Sequence, residues 1–249
     1  MMMPFVKCAG AAVFALSAAM LSTPVLAVPV TVAGATVNFT FDSALTGLFG
    51  APSVVGDTFS FYPTSFKAQS FNGGGLVATS ETFNVTVNAN SGYLISAVNL
   101  TEDGDYYNIG SGSAVAVGGK LYVRDGENPV GPAASSSIVA DQPLTDTTSL
   151  GNFQTTNWMA SAGVMIPAGW GGADGNVTGV NVTLQNILLA SSENVGGGAF
   201  IEKKFAGLSF VTSPVPEPQT YAMFLAGLGL VGYLGLRRGR TRAADYAAS

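Results

Sequence analysis

The chain has 249 residues, a net charge of −5, a single Cys and no His. Without His, Ser-His-Asp and Cys-His hydrolysis and imidazole-based zinc sites are excluded, and general acid/base chemistry would fall to carboxylates or Lys. Fifteen acidic residues against ten basic ones leave no basic surface for a nucleic-acid partner.

Residues 1–27 read as a secretory signal. Lys7 precedes a small apolar run from Ala9 to Met20, and Val25-Leu26-Ala27 presents small residues where a signal peptidase cuts, after Ala27. Cys8 stands ahead of the apolar run, the wrong side for a lipoprotein anchor. Cleavage would remove the only Cys, leaving a mature chain without disulfides whose stability must come from core burial.

Residues 28–213 are long enough for one domain with a sizeable core. Thirteen acidic and five basic residues give this segment a net charge of −8, as suits an extracellular surface. Its dominant pattern has period two. Ala35, Val37, Phe39 and Phe41 alternate with polar residues, as do Phe83, Val85, Val87 and Ala89. The same beat recurs at Phe59/Phe61, Leu121/Val123, Trp158 to Ile166, Val180/Val182/Leu184 and Leu208/Phe210. Such alternation predicts half-buried antiparallel strands. Turns are predicted at 72–75, 90–92, 118–119, 125–126 and 196–198, and a long Pro-, Ser- and Thr-rich loop at 128–151. The expected architecture is an all-β, two-sheet antiparallel sandwich of about eight to ten strands, with the jelly roll as one candidate topology.

Within this domain Glu102, Asp103 and Asp105 form the densest acidic group, expected on a loop. Such oxygens suit calcium, but Tyr107 sits where an EF-hand loop needs its third oxygen ligand, and a solvated acidic turn is the simpler expectation. With thirteen acids, a pair at glycosidase spacing would arise by chance, so catalysis is not expected. Trp170, in the Pro167–Gly172 loop, could stack on a sugar face; packing against the loop is the expected role. Trp158 belongs with the core face of Ala160, Ala162 and Val164. Five Asn-x-Thr sequons, at Asn38, Asn84, Asn99, Asn176 and Asn181, follow from period two and are expected on the polar faces of strands.

The C-terminal segment has three parts in order. Val215-Pro216-Glu217-Pro218 comes first, then sixteen uncharged residues from Tyr221 to Leu236, then Arg237, Arg238, Arg240 and Arg242. The apolar run is a membrane-helix candidate of about 24 Å, and the Arg cluster from 237 to 242 is a stop that keeps the C-terminus cytoplasmic. The two Pro residues favour extended backbone, so Ser213 to Pro218 is expected to project as an unpaired segment at the membrane surface. Gly227, Gly229, Gly232 and Gly235 suit either a helix that frays or close helix packing.

This order of parts, with Gln219-Thr220-Tyr221-Ala222 behind the motif, resembles the PEP-CTERM sorting domain of Gram-negative bacteria over residues 214–242. The resemblance implies recognition of Val215, Pro216, Glu217 and Pro218 by an exosortase, a membrane-embedded, cysteine-protease-like transpeptidase that supplies the chemistry of processing. It further implies a single-pass inner-membrane intermediate passed on to the cell surface, outer envelope or extracellular matrix of a bacterium that makes exopolysaccharide. The segments Ser91–Ser96, Glu102–Tyr106 and Ile201–Phe205 resemble the β-rich ectodomains found ahead of this tail. The expected function is a structural surface or biofilm-matrix protein. The alternatives are a polysaccharide-binding adhesin, with calcium at Glu102 to Asp105 or an aromatic platform at Trp170, and a carboxylate-based hydrolase.

Overall fold

The computed structural model describes residues 28–151, 153–215 and 222–233. The signal segment ending at Ala27, the motif residues Pro216, Glu217 and Pro218, and Arg237, Arg238 and Arg240 lie outside them.

Twelve strands build one antiparallel sheet: β1 Pro29–Ala33, β2 Val37–Asp42, β3 Ser53–Val55, β4 Thr58–Phe61, β5 Lys67–Phe71, β6 Gly75–Ala89, β7 Tyr93–Ile109, β8 Ser113–Asp125, β9 Ala134–Ala140, β10 Thr156–Met165, β11 Gly179–Ser192 and β12 Gly198–Pro214. The hydrogen-bonded order is β1-β2-β6-β11-β8-β9-β10-β7-β12-β4-β3, with β5 also on β12. The sheet folds over on itself into a nearly closed sandwich. β1, β2, β6, β11 and β8 make one layer; β10, β7, β12, β5, β4 and β3 make the other. β9 carries the sheet round the corner, pairing along β8 but meeting β10 only at Ala140 and Val139. β11 and β12 face each other across the interior without pairing.

Period two decides what each strand buries. Val180, Val182, Leu184 and Leu188 of β11 and Ile201, Ala206, Leu208 and Phe210 of β12 all point inward. On the outward face of β6 and β11, Thr86 donates to Asn181 at 2.8 Å and Thr183 to Asn84 at 2.6 Å. Those two sequon residues thus form cross-strand polar ladders, whereas Asn176 lies in the β10–β11 loop rather than on a strand.

The ends of the sheet, β1 and β3, are not paired with each other. The seam between them is closed by rings. From β2 and β4, Phe39 and Phe41 each pack on Phe59 with centroids 5.2 Å apart. Phe83 of β6 stacks on Phe59 at 5.5 Å and meets Phe61 edge-on at 4.8 Å. Edge-on and offset ring pairs add attraction beyond the area they bury.

Several expectations are corrected. β1 was not foreseen, because an edge strand buries little and its alternation is faint. The long loop at 128–151 contains β9, whose Ser-rich sequence buries only Ile138. Gly118-Gly119 is no turn: both sit inside β8, where a Cβ on Gly119 would press on the β11 backbone, 3.1 Å from the Asn186 Cα. β6 also begins earlier than its apolar pattern, at Gly75, through a stretch rich in Thr and Ser.

Phe59 touches four other rings and has no exposed surface. Phe59→Ala is expected to cost about 3–5 kcal/mol, read as a lower midpoint in denaturant unfolding. Phe71→Ala, at a partly exposed site, should shift it far less.

Candidate functional site

Two places gather the chemistry of the chain: the junction between the sheet and the sorting tail, and a polar cluster inside the sandwich.

The junction is built by β12. This strand is paired with β7 to its last residues, Ser213 opposite Leu94 and Pro214 opposite Tyr93. The Val215 N–H then donates to the Gly92 carbonyl at 2.8 Å. Ser213 and Pro214 are therefore not part of a projecting unpaired segment as expected; the ladder holds the chain up to Val215. Pro is tolerated there because it falls at the strand end, where a missing N–H costs no central ladder bond. Val215 also lines a shallow depression with Asn90, Tyr93, Asp174 and Asn176.

The turns around this pole are tied to one another. Ala35 N–H donates to the Gly56 carbonyl at 3.0 Å, and Asn90 N–H to the Thr36 carbonyl at 2.8 Å. Asp57 is the knot. Its carboxylate accepts from Thr36 N–H at 2.7 Å, Thr36 Oγ1 at 2.6 Å and Val37 N–H at 3.3 Å. Thr36 Oγ1 also lies 2.8 Å from Thr212 Oγ1 on β12. Partial burial opposes ionisation of Asp57, but the Thr36 and Val37 donors prevail and hold its carboxyl below the ordinary range.

Beyond the junction, residues 222–233 are helical and every one of them is exposed, including Met223, Phe224, Leu225, Leu228 and Val231. None of this apolar surface is tucked into the sandwich. The helical stretch is about 18 Å long at 12 residues. Among the described residues no helix is long and apolar enough to cross a membrane; the remainder of the apolar run lies outside them.

The acidic group at 102–105 is not on a loop. It lies in the middle of β7, and the pleat divides it. Glu102 points inward and is fully buried, while Asp103 and Asp105 point outward. Asp105 pairs with the exposed Lys204, which also lies 3.5 Å from Glu202. The hydrogen bond that Lys204 donates to Asp105 raises the Lys204 pKa. The three carboxylates do not converge, and among the described residues no group of three or more acidic, His or Cys side chains is placed to hold a metal.

Inside, Glu102 Oε2 is ion-paired with Lys203 Nζ of β12 and Glu102 Oε1 accepts from Asn186 Nδ2 of β11. All three side chains are buried. Lys203 Nζ lies 5.3 Å from the Trp158 ring and 5.7 Å from Phe66. Trp158 is fixed by its Nε1–H, which donates to the Glu202 carbonyl at 3.0 Å. A register shift between Lys203 and Phe205 lets both Lys203 and Ala206 face inward. Burial pushes the Lys203 amine to a lower pKa, against the pull of Glu102. Lys203 and Asn186 escaped sequence reasoning, although the signal was there. Each is a polar residue on an inward beat, between Leu184 and Leu188 or two places after Ile201.

Trp170 is half-buried against the core, and its neighbour Gly171 donates to Asp125 Oδ2 at 3.0 Å, pinning the β10–β11 loop to the end of β8.

Residues 214–240 match the PEP-CTERM protein-sorting motif, so the chain carries that motif at its C-terminus. The motif implies export, processing by an exosortase and sorting to the cell surface. No curated protein matches the chain. Among solved structures, infectious bursal disease virus of the Gt strain is 12% identical with a TM-score of 0.22, over 80% of this chain and 60% of that one. TmCBM61, solved with beta-1,4-galactotriose, is 12% identical with a TM-score of 0.17, over 57% and 88%. The chain thus spans about three-fifths of the first structure's length. At such scores these likenesses bear on neither ligand nor assembly.

Asp57 gives the junction a pH signature. Its depressed folded pKa means its contribution is present above the unfolded value of about 3.9 and is lost as pH falls through the folded value. Asp57→Asn is expected to lower the thermal midpoint at neutral pH, and the gap to the unaltered protein should close as the pH is taken below about 4. Circular dichroism melts across that range check it.

Proposed function

We propose that this chain is a non-enzymatic structural protein of the cell surface or extracellular matrix, held briefly in the inner membrane by residues 221–236 and then processed at Val215 to Pro218. The observation that carries this reading is the junction itself. A sheet whose last ladder bond is made by Val215 gives way, seven residues later, to a helix of exposed apolar side chains. A soluble domain would bury such a helix, since exposed apolar patches of this kind mark contact with a partner or a membrane. Arg237, Arg238 and Arg240 then serve as the cytoplasmic stop.

The same proposal orients the domain. Residues 216–221 can span at most about 22 Å, so the pole made by the β1–β2, β3–β4 and β6–β7 turns stays near the bilayer and the processing enzyme. The opposite pole, with the β5–β6, β7–β8 and β11–β12 turns, faces outward. A role in exopolysaccharide or biofilm assembly is part of the proposal and draws on the sorting motif alone.

The test is Glu217→Ala in a bacterium that makes the exosortase, with a tag after the C-terminus. The unaltered protein should lose the tag and reach the surface; the variant should keep the tag and stay with the inner membrane. Unchanged processing and location would refute the sorting role of the motif.

A further inference from the structure

Three inward positions on three strands break the apolar pattern of the core: Glu102 on β7, Asn186 on β11 and Lys203 on β12. Their exposures are 0%, 2% and 1%. A lone ion pair in such a place is poorly explained as a stabiliser, because removing two charges from water cancels most of what their attraction returns. The third member changes the chemistry. One carboxylate touches an amine with one oxygen and a carboxamide with the other, so a nucleophile, an acyl group and a proton carrier share one pocket. Phe66 and Trp158 cover the amine and exclude water, and Asn186 Oδ1 is buried without a hydrogen-bond partner.

We infer that Lys203 Nζ and Asn186 Cγ join in an intramolecular isopeptide bond, with Glu102 as the proton carrier and ammonia as the leaving group. Burial already favours the neutral amine, which is the form with a free electron pair. The proton of the Lys203 ammonium passes to Glu102, whose acid form then donates to the carboxamide oxygen. This needs only rotation of the Asn186 carboxamide, whose two ends have nearly the same shape. The amine attacks Cγ, the Cγ–Nζ bond forms, and Glu102 relays a second Nζ proton to Nδ2. The Cγ–Nδ2 bond breaks and ammonia departs. The third Nζ hydrogen remains as the amide N–H, Glu102 is left protonated and neutral, and no oxidant or cofactor enters. An ion pair costly to bury becomes a neutral amide and a carboxylic acid.

The bond would join β11 to β12 and hence one layer of the sandwich to the other. It is a single-turnover reaction of the chain on itself, and it stands whether or not the surface role is right.

The test is peptide-level mass spectrometry of the full chain purified in detergent. No Lys or Arg lies between Asp125 and Lys203, so trypsin releases both partners in one peptide. That peptide is expected to be lighter than its sequence by one ammonia, to end at Lys204 because Lys203 is blocked, and to yield no backbone fragments from between Asn186 and Lys203. Asn186→Ala, Lys203→Met and Glu102→Ala should each restore the sequence mass. A wild-type peptide at full mass overturns the proposal even if no variant folds. A deficit that persists in Lys203→Met is ring closure at Asn186 itself, and also overturns it.

Discussion

Everything in this sandwich depends on what is buried between its two layers. Hydrogen bonds run within the sheet, but β11 and β12 face one another without a ladder between them. The two sides of the seam are likewise joined by phenylalanine rings, from β2 and β4. The only Cys stands at position 8, ahead of the first strand, so no intramolecular disulfide braces the sandwich. Aromatic packing closes one side and the Glu102–Lys203–Asn186 cluster occupies the middle. An isopeptide bond between Lys203 and Asn186 would give a sandwich without Cys a covalent brace of the kind an extracellular domain otherwise takes from disulfides.

How much of this the sequence discloses depends on how each residue's environment is made. The alternation of Phe39 and Phe41, or of Val180, Val182 and Leu184, is a direct imprint of one wet and one dry face, so those strands are legible. β1 and β9 are not, because an edge strand and a Ser-rich corner strand bury too little for the beat to register. The sorting tail is legible because its parts act as linear signals and need no fold around them. The acidic run at 102–105 misleads for the opposite reason. Charge density suggests solvent, yet the inward member is neutralised by Lys203, 101 positions further on, and a contact at that separation leaves no local trace. A period-two reading carried through the run would have put Glu102 on the same face as Val98 and Leu100. The clue was phase rather than composition.

The junction links fold to export. Asp57, Thr36 and Thr212 lock the pole from which the tail departs, and Val215, the last residue held by the ladder, already lies within the matched sorting motif. Folding therefore fixes the chain up to Val215, seven residues ahead of the described helix that begins at residue 222.

β12 is the last strand before the C-terminal tail and is zipped to β7 antiparallel over nearly its whole length. Tension drawn through the tail while the far pole is gripped therefore runs along the strand axis. It strains the inter-strand bonds together in shear, instead of peeling them open one after another. A body pulled by its final strand in this way resists being reeled out by its own tail.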